Sequence, residues 1–148
     1  METVNIIFGR SDKIMSRLIR FVTFSRWSHC GLVAGDWVYE SIGNGGFVKT
    51  PLHIFKARYN QQWEICEMPC ISKDLCFTRA KSLVGSPYDY HGIFAYLFRW
   101  DIQRVKAWQC AEAMAYCLGW IREDKLWRIS PQYLWLASKT IHKGVGMK

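Results

Sequence analysis

The chain has 148 residues, a formal net charge of +8, a half-hydrophobic composition with eight tryptophans, and six cysteines. That length suits a single domain, 1–148, with its own buried core, and that composition excludes a disordered chain. The basic balance favours anionic partners, and no segment approaches the ~18 apolar residues of a helical membrane span.

Met1 to Phe8 carries no basic segment followed by a long apolar stretch and a cleavage site. No signal peptide is expected. The expectation is a cytoplasmic product with mostly free thiols, which a phage or a secretion system could deliver to the cell envelope. Val4 to Phe8 reads as a first strand. Ser11 then reads as an N-cap with Asp12 in the first turn. Ile14, Met15, Leu18, Ile19 and Val22 follow at helical spacing, with Lys13, Arg17 and Arg20 on the other face. This predicts a helix over about 11–23 with its apolar side on the core. Arg17, Arg20 and Arg26 read as a solvated basic cluster.

The period then changes to two. His29 to Val33 and Trp37 to Ser41 read as strands around Ala34-Gly35-Asp36, a hairpin signal. Gly43 to Gly46 turns into a third strand, Phe47 to Lys49, and Pro51 to Arg58 reads as a helical turn. Gln62 to Met68 reads as a strand. Ser72 caps a helix that runs to about Val84 and stops at Gly85. Gly92 to Phe98 fits either a helix or a buried strand. Ala107 to Trp120 reads as a helix. Ser130-Pro131 is an N-cap followed by proline at the first helical position, opening a helix to about Thr140. The order is helix, small antiparallel sheet, then helices, which predicts an α+β class.

The hairpin carries the first chemical signal. With its loop symmetric about Gly35-Asp36, Val33 lies opposite Val38 and Gly31 opposite Glu40. His29 and Gly31 share a sheet face, so Glu40 is a diagonal neighbour of His29. Gly31 has no side chain to block the path between them. A carboxylate there holds one imidazole nitrogen and aims the other outward. The second signal is Trp108-Gln109-Cys110-Ala111, where a thiol enters a helix. The positive end of the helix and a nearby imidazolium both lower a thiol pKa. The Cys110 N–H is also a candidate oxyanion donor. Cys110, His29 and Glu40 together form a candidate nucleophile, base and orienting acid.

Other constellations are weaker. Cys66, Cys70 and Cys76 lack paired CxxC spacing, and His53, His91 and His142 lack ligand-like neighbours, so no metal is expected. There is no phosphate loop and no dinucleotide fingerprint, so no cofactor is expected. The aromatics Tyr96, Phe98 and Trp100 read as core or groove wall, and no nucleic-acid partner is expected. Cys30 and Cys117 read as core residues.

These residues resemble the permuted branch of the NlpC-type papain-like superfamily, the YiiX/YebB-like and lecithin:retinol acyltransferase-like members. The resemblance rests on Ser28-His29-Cys30-Gly31-Leu32-Val33, Val38-Tyr39-Glu40-Ser41, Gly85-Ser86-Pro87-Tyr88-Asp89, Gln109-Cys110-Ala111 and Ser130-Pro131-Gln132-Tyr133-Leu134. It runs from about Phe8 to Leu136. It implies a permuted papain-like fold with Cys110 as nucleophile, His29 as base and Glu40 as third member. Tyr88 and Gln109 are then oxyanion or substrate contacts. Ala111 departs from the pattern, where relatives often carry a hydroxyl residue. The implied activity is cysteine-dependent cleavage of a peptide or peptidoglycan-peptide amide through a thioester. Two alternatives stand beside it: a lipid acyl hydrolase or transferase at an anionic membrane surface, and a non-catalytic basic module binding an anionic lipid or polymer.

Overall fold

The computed structural model describes residues 1–22, 24–87, 110–120 and 129–144. At its centre is β1, Glu2–Gly9, whose apolar residues are buried on both faces. Strands β2 (His29–Ala34), β3 (Trp37–Ile42) and β4 (Gly46–Pro51) extend the sheet on one side. Strands β5 (Trp63–Cys70) and β6 (Lys139–Lys143) extend it on the other. The order is β4-β3-β2-β1-β5-β6, and every pairing is antiparallel. Among the described residues there are five helices: α1 (Ile14–Val22), α2 (Leu52–Arg58), α3 (Lys73–Leu83), α4 (Cys110–Leu118) and α5 (Pro131–Leu136). The class is α+β, a small antiparallel sheet packed against helices.

The alternation of side chains divides the core in two. Ile6, Phe8, Cys30, Leu32 and Met68 pack with residues of α3, α4 and α5. Ile7, Val38 and Ile65 face the other way and are covered by Phe55 of α2. α3 opens on Ser72, whose hydroxyl accepts from the Leu75 amide, and α5 opens on Ser130, which accepts from the Tyr133 amide. Both caps satisfy helix amides that have no partner within the helix.

The hairpin has the register expected from its sequence. Gly31 pairs with Glu40, Val33 with Val38, and Ala34 with Trp37. Gly35 takes φ +60°, as a tight hairpin loop requires. A Cβ on Gly31 would lie 2.5 Å from Val38 Cγ1 and 3.2 Å from the Glu40 Cβ. The glycine therefore leaves room for the neighbours that bring Glu40 in.

Three expectations are corrected. α1 begins at Ile14, and Ser11 does not cap it; the Ser11 amide instead donates to Ser16 Oγ at 3.0 Å. The apolar stripe of α1 faces solvent, because it is Ser16 that seats the helix, through a 2.6 Å hydrogen bond to Ser28 Oγ. The second correction concerns the C-terminal helix, which stops at Leu136. Lys139–Lys143 is a strand that pairs with the otherwise open edge of β5. Trp135 Nε1 and Thr140 Oγ1 both donate to Glu64 Oε2, at 2.9 and 3.1 Å, and pin that turn. Arg26, expected with Arg17 and Arg20, lies instead over the neighbouring Trp27 and Trp135 rings, 5.2 and 5.6 Å from their centroids. Segments 92–98 and 107–109, for which structure was expected, lie outside the described residues.

The chain after α3 is tied to β4: the Phe47 amide donates to Ser86 O at 2.8 Å and the Gly85 amide to Phe47 O at 2.9 Å. Gly46 has φ +73°, and a Cβ there would collide with the Ser86 carbonyl. Gly46→Ala combines backbone strain with a backbone clash. It is expected to lower the unfolding free energy by about 2–4 kcal/mol, read from the urea midpoint.

Candidate active site

His29 is the first residue of β2, and its upstream neighbours and two aromatic rings determine where it sits. The Ser28 amide donates to Gly9 O at 3.1 Å, joining the strand start to the end of β1. Ser25 and Arg26, just upstream, are anchored to Gln132 of α5, whose Oε1 accepts from the Arg26 amide at 2.8 Å. The imidazole then stacks on Phe55 and Tyr59, with ring centroids 5.7 and 5.9 Å away and planes within 24° and 21°. Gly9 makes this stack achievable, since a Cβ there would lie 2.8 Å from the Tyr59 ring.

His29 Nε2 donates to Glu40 Oε2 at 2.6 Å. Glu40 is fully buried. Arg58 Nη1, at the end of α2, donates to both of its oxygens at 2.9 Å, and the nearby Thr50 side chain also favours the ionised carboxylate. Burial alone would raise the carboxyl pKa. The hydrogen bond and charge of His29, the Thr50 hydroxyl and the Arg58 charge outweigh it and hold the group down to about 2.

Cys110 lies at the start of α4 as described, on the helix side of the sheet. It still reaches His29, because the β2–β3 ladder stops at Gly31–Glu40. His29 and Cys30 have no partner on β3, and the thiol meets both of them at this gap. The Cys110 thiol lies within the influence of the Cys30 side chain, the Cys30 backbone and the His29 imidazole, each of which favours its ionised form. With Nε2 committed to Glu40, Nδ1 is the nitrogen left for the thiol. The Cys30 hydrogen bond lowers the Cys110 pKa most, burial opposes it, and the His29 hydrogen bond and charge add to the lowering; the result lies well below an ordinary thiol. Burial disfavours the His29 cation, yet Tyr59, Cys110 and Glu40 together raise its pKa well above 6.5. The arrangement is that of a thiolate–imidazolium pair.

The other thiols differ in kind. Burial pushes Cys30, Cys66, Cys70 and Cys117 up, and Cys76 to about 12. All six cysteines are free. A cleft of about 430 Å³ opens beside His29, lined by Lys13, Ser28, Ser41, Asn44, Arg58 and Tyr59 among others. Among the described residues no carboxylate lines it, whereas hydroxyls and cations do.

The structure thus brings Cys110, His29 and Glu40 together. Tyr88 and Gln109 lie outside the described residues. Sequence reasoning missed Arg58, Thr50, Phe55 and Tyr59. It placed Cys30 in the core without its contact to Cys110. A basic and an aromatic residue at the end of a short helix gave no sign that they converge on a glutamate far away in the chain.

No family model matches the sequence, and no curated protein matches it. The fold is similar to a solved structure, the metalloprotein yiiX from Escherichia coli O157:H7, described as DUF1105. Identity is 19%, the TM-score is 0.65, and the match covers 96% of this chain and 97% of that one. At that identity the likeness shows a shared, YiiX-like fold. Among the described residues of this chain, no three His, Cys, Asp or Glu side chains gather to hold a metal ion.

Two measurements follow from these charges. An ordinary thiol, pKa ~8.5, is only about 1% ionised at pH ~6.5. Iodoacetamide at that pH is expected to label Cys110 about tenfold or more faster than any other cysteine, read by peptide mass spectrometry, and His29→Ala is expected to remove the advantage. The Glu40 carboxyl is lowered from 4.5 to about 2. Its stabilising contribution is therefore complete above pH 4.5 and is lost as pH falls through about 2. Glu40→Gln is expected to be less stable at neutral pH and to show a flatter decline across that acid window.

Proposed function

We propose that this chain is a cysteine-dependent acyl hydrolase that cleaves an amide, of the kind found in peptides and peptidoglycan peptides, through a thioester on Cys110. The observation that carries the reading is the unbroken line from Glu40 through His29 to Cys110, with a lowered thiol at one end and a buried carboxylate at the other. The chain order of histidine, glutamate and cysteine supports a permuted papain-like assignment.

In this mechanism Cys110 Sγ attacks the substrate carbonyl carbon. The Cys110 N–H, in the first turn of α4, is assigned to the oxyanion. As the C–N bond breaks, its electron pair goes to nitrogen and the proton on His29 Nδ1 goes to the leaving amine. Neutral Nδ1 then takes a proton from water, whose oxygen attacks the thioester. Sγ departs as thiolate, and the acid product leaves. Glu40 keeps Nε2–H engaged throughout and offsets the imidazolium charge. Arg58 and Thr50 act through Glu40, so they are positioning residues.

A second reading, hydrolysis or transfer of a lipid acyl group, shares every step. It is favoured by the solvent-facing apolar residues of α1, a helix that lines the same cleft.

The test is acyl trapping with p-nitrophenyl acetate, followed by mass spectrometry of the Cys110 peptide. Cys110→Ala is expected to abolish acylation while leaving thermal stability nearly unchanged. His29→Ala is expected to cost about 10²–10⁴-fold in rate. Glu40→Gln is expected to cost less, because an amide still orients the ring. The rate should rise with pH below the ordinary thiol range, as Cys110 ionises. It should fall only above the ordinary imidazole value of 6.5, as His29 loses its proton. Acylation that persists in Cys110→Ala overturns the reading.

A further inference from the structure

α1 is turned inside out. At about 100° per residue, Ile14, Leu18 and Phe21 fall within a stripe roughly 60° wide, flanked by Met15. In a helix on a core, that stripe would be covered. Here Ile14 is 83% exposed and Phe21 77%, and Leu18 and Met15 are also exposed. Among the helix side chains described, the buried one is Ser16, on the opposite side. Phe24, just beyond, is 90% exposed and sits in left-handed backbone at φ 49°.

The charges around the stripe all have one sign. Residues 13–28 contain Lys13, Arg17, Arg20 and Arg26 and no acid. Arg20 is partly engaged by Ser11 O and Asp12, whereas Lys13 and Arg17 are exposed. An apolar stripe bordered by cations on a surface helix is the pattern of an interfacial helix on acidic lipid. A second copy of the chain fits less well, since a two-fold contact on this stripe would set Arg17 and Lys13 near their own counterparts.

We propose that α1, with Phe24, docks the protein on an anionic phospholipid bilayer. The apolar stripe enters the head-group boundary, and Lys13 and Arg17 meet lipid phosphates. Lys13, Met15, Ser16 and Ile19 of this segment line the same cleft as His29. Docking by the opposite face therefore holds the helix that forms one wall of the cleft against the lipid surface. The surface itself requires no turnover, so its test is separable from that of the thiol chemistry.

The experiment is vesicle co-sedimentation of Cys110→Ala, which removes turnover as a variable. It compares vesicles of phosphatidylcholine with vesicles of equimolar phosphatidylcholine and phosphatidylglycerol. The protein is expected to bind the anionic vesicles about tenfold or more tightly than the neutral ones. The added double change Ile14→Ser and Phe21→Ser is expected to weaken anionic binding by about tenfold or more without lowering the melting temperature, because both side chains are exposed. Arg17→Ser should weaken it less, and that loss should shrink with salt. No binding to anionic vesicles overturns the proposal, as does equal binding by the serine variant. A concentration-dependent dimer that the serine changes disperse assigns the stripe to a second copy and also overturns it. Vesicle binding lost with Cys110 acylation intact in otherwise wild-type protein rejects the docking surface alone; the converse rejects the thiol reading alone.

Discussion

Glu40 is a full negative charge in a place water does not reach. An unpaired carboxylate there would cost several kcal/mol or would take up a proton. It does neither, because three elements of the fold send it a partner: His29 from β2, Thr50 from β4 and Arg58 from α2 converge on a residue of β3. The requirement works in both directions. The carboxylate must be satisfied, so the hairpin register, the turn into β4 and the end of α2 are all constrained by one group. Once satisfied, it holds the imidazole by Nε2 and leaves Nδ1 for the thiol. Stability and site geometry thus depend on the same hydrogen bonds.

The meeting of Cys110 with His29 also depends on a place where the sheet is incomplete. A β2–β3 ladder continued to His29 would close the seam through which Cys110 meets both His29 and Cys30. Because it stops at Gly31–Glu40, consecutive residues that point to opposite faces both reach one sulfur. Two buried thiols side by side then divide in character. Cys30 is pushed up and Cys110 down, since only one of a contacting pair can be the anion and the imidazolium favours Cys110.

Much of this was legible in the sequence, and the reasons are local. The hairpin register follows from a two-residue loop and period-two alternation, so Gly31 opposite Glu40 needed no tertiary information. The caps at Ser72 and Ser130 are equally local. The partners of Glu40 were not legible, because Arg58 and Thr50 reach it through the turn from β4 into α2, whose packing no periodicity encodes. β6 was read as the tail of a helix, because Ser130-Pro131 signals a start and the open edge of β5 becomes visible only in the fold. For α1, the spacing gave the stripe correctly and its direction wrongly. A helical period says that one face differs from the other and leaves open which face the protein takes.

That misreading has a physical origin in how α1 is held. A helix seated by apolar burial gains roughly 25 cal/mol for each Å² removed from water. α1 is seated instead by a hydroxyl pair, Ser16 on Ser28, and by the Ser11 amide on Ser16 Oγ. Such hydrogen bonds contribute about 1 kcal/mol each, less than covering Ile14, Leu18 and Phe21 would. The larger apolar term remains unused in the isolated chain and is available to whatever covers the stripe. Ser28 is the residue before His29, so the contact that seats the helix is one peptide from the start of β2. The apolar face of α1 and the segment that carries the imidazole are thus joined by two serine hydroxyls in direct contact.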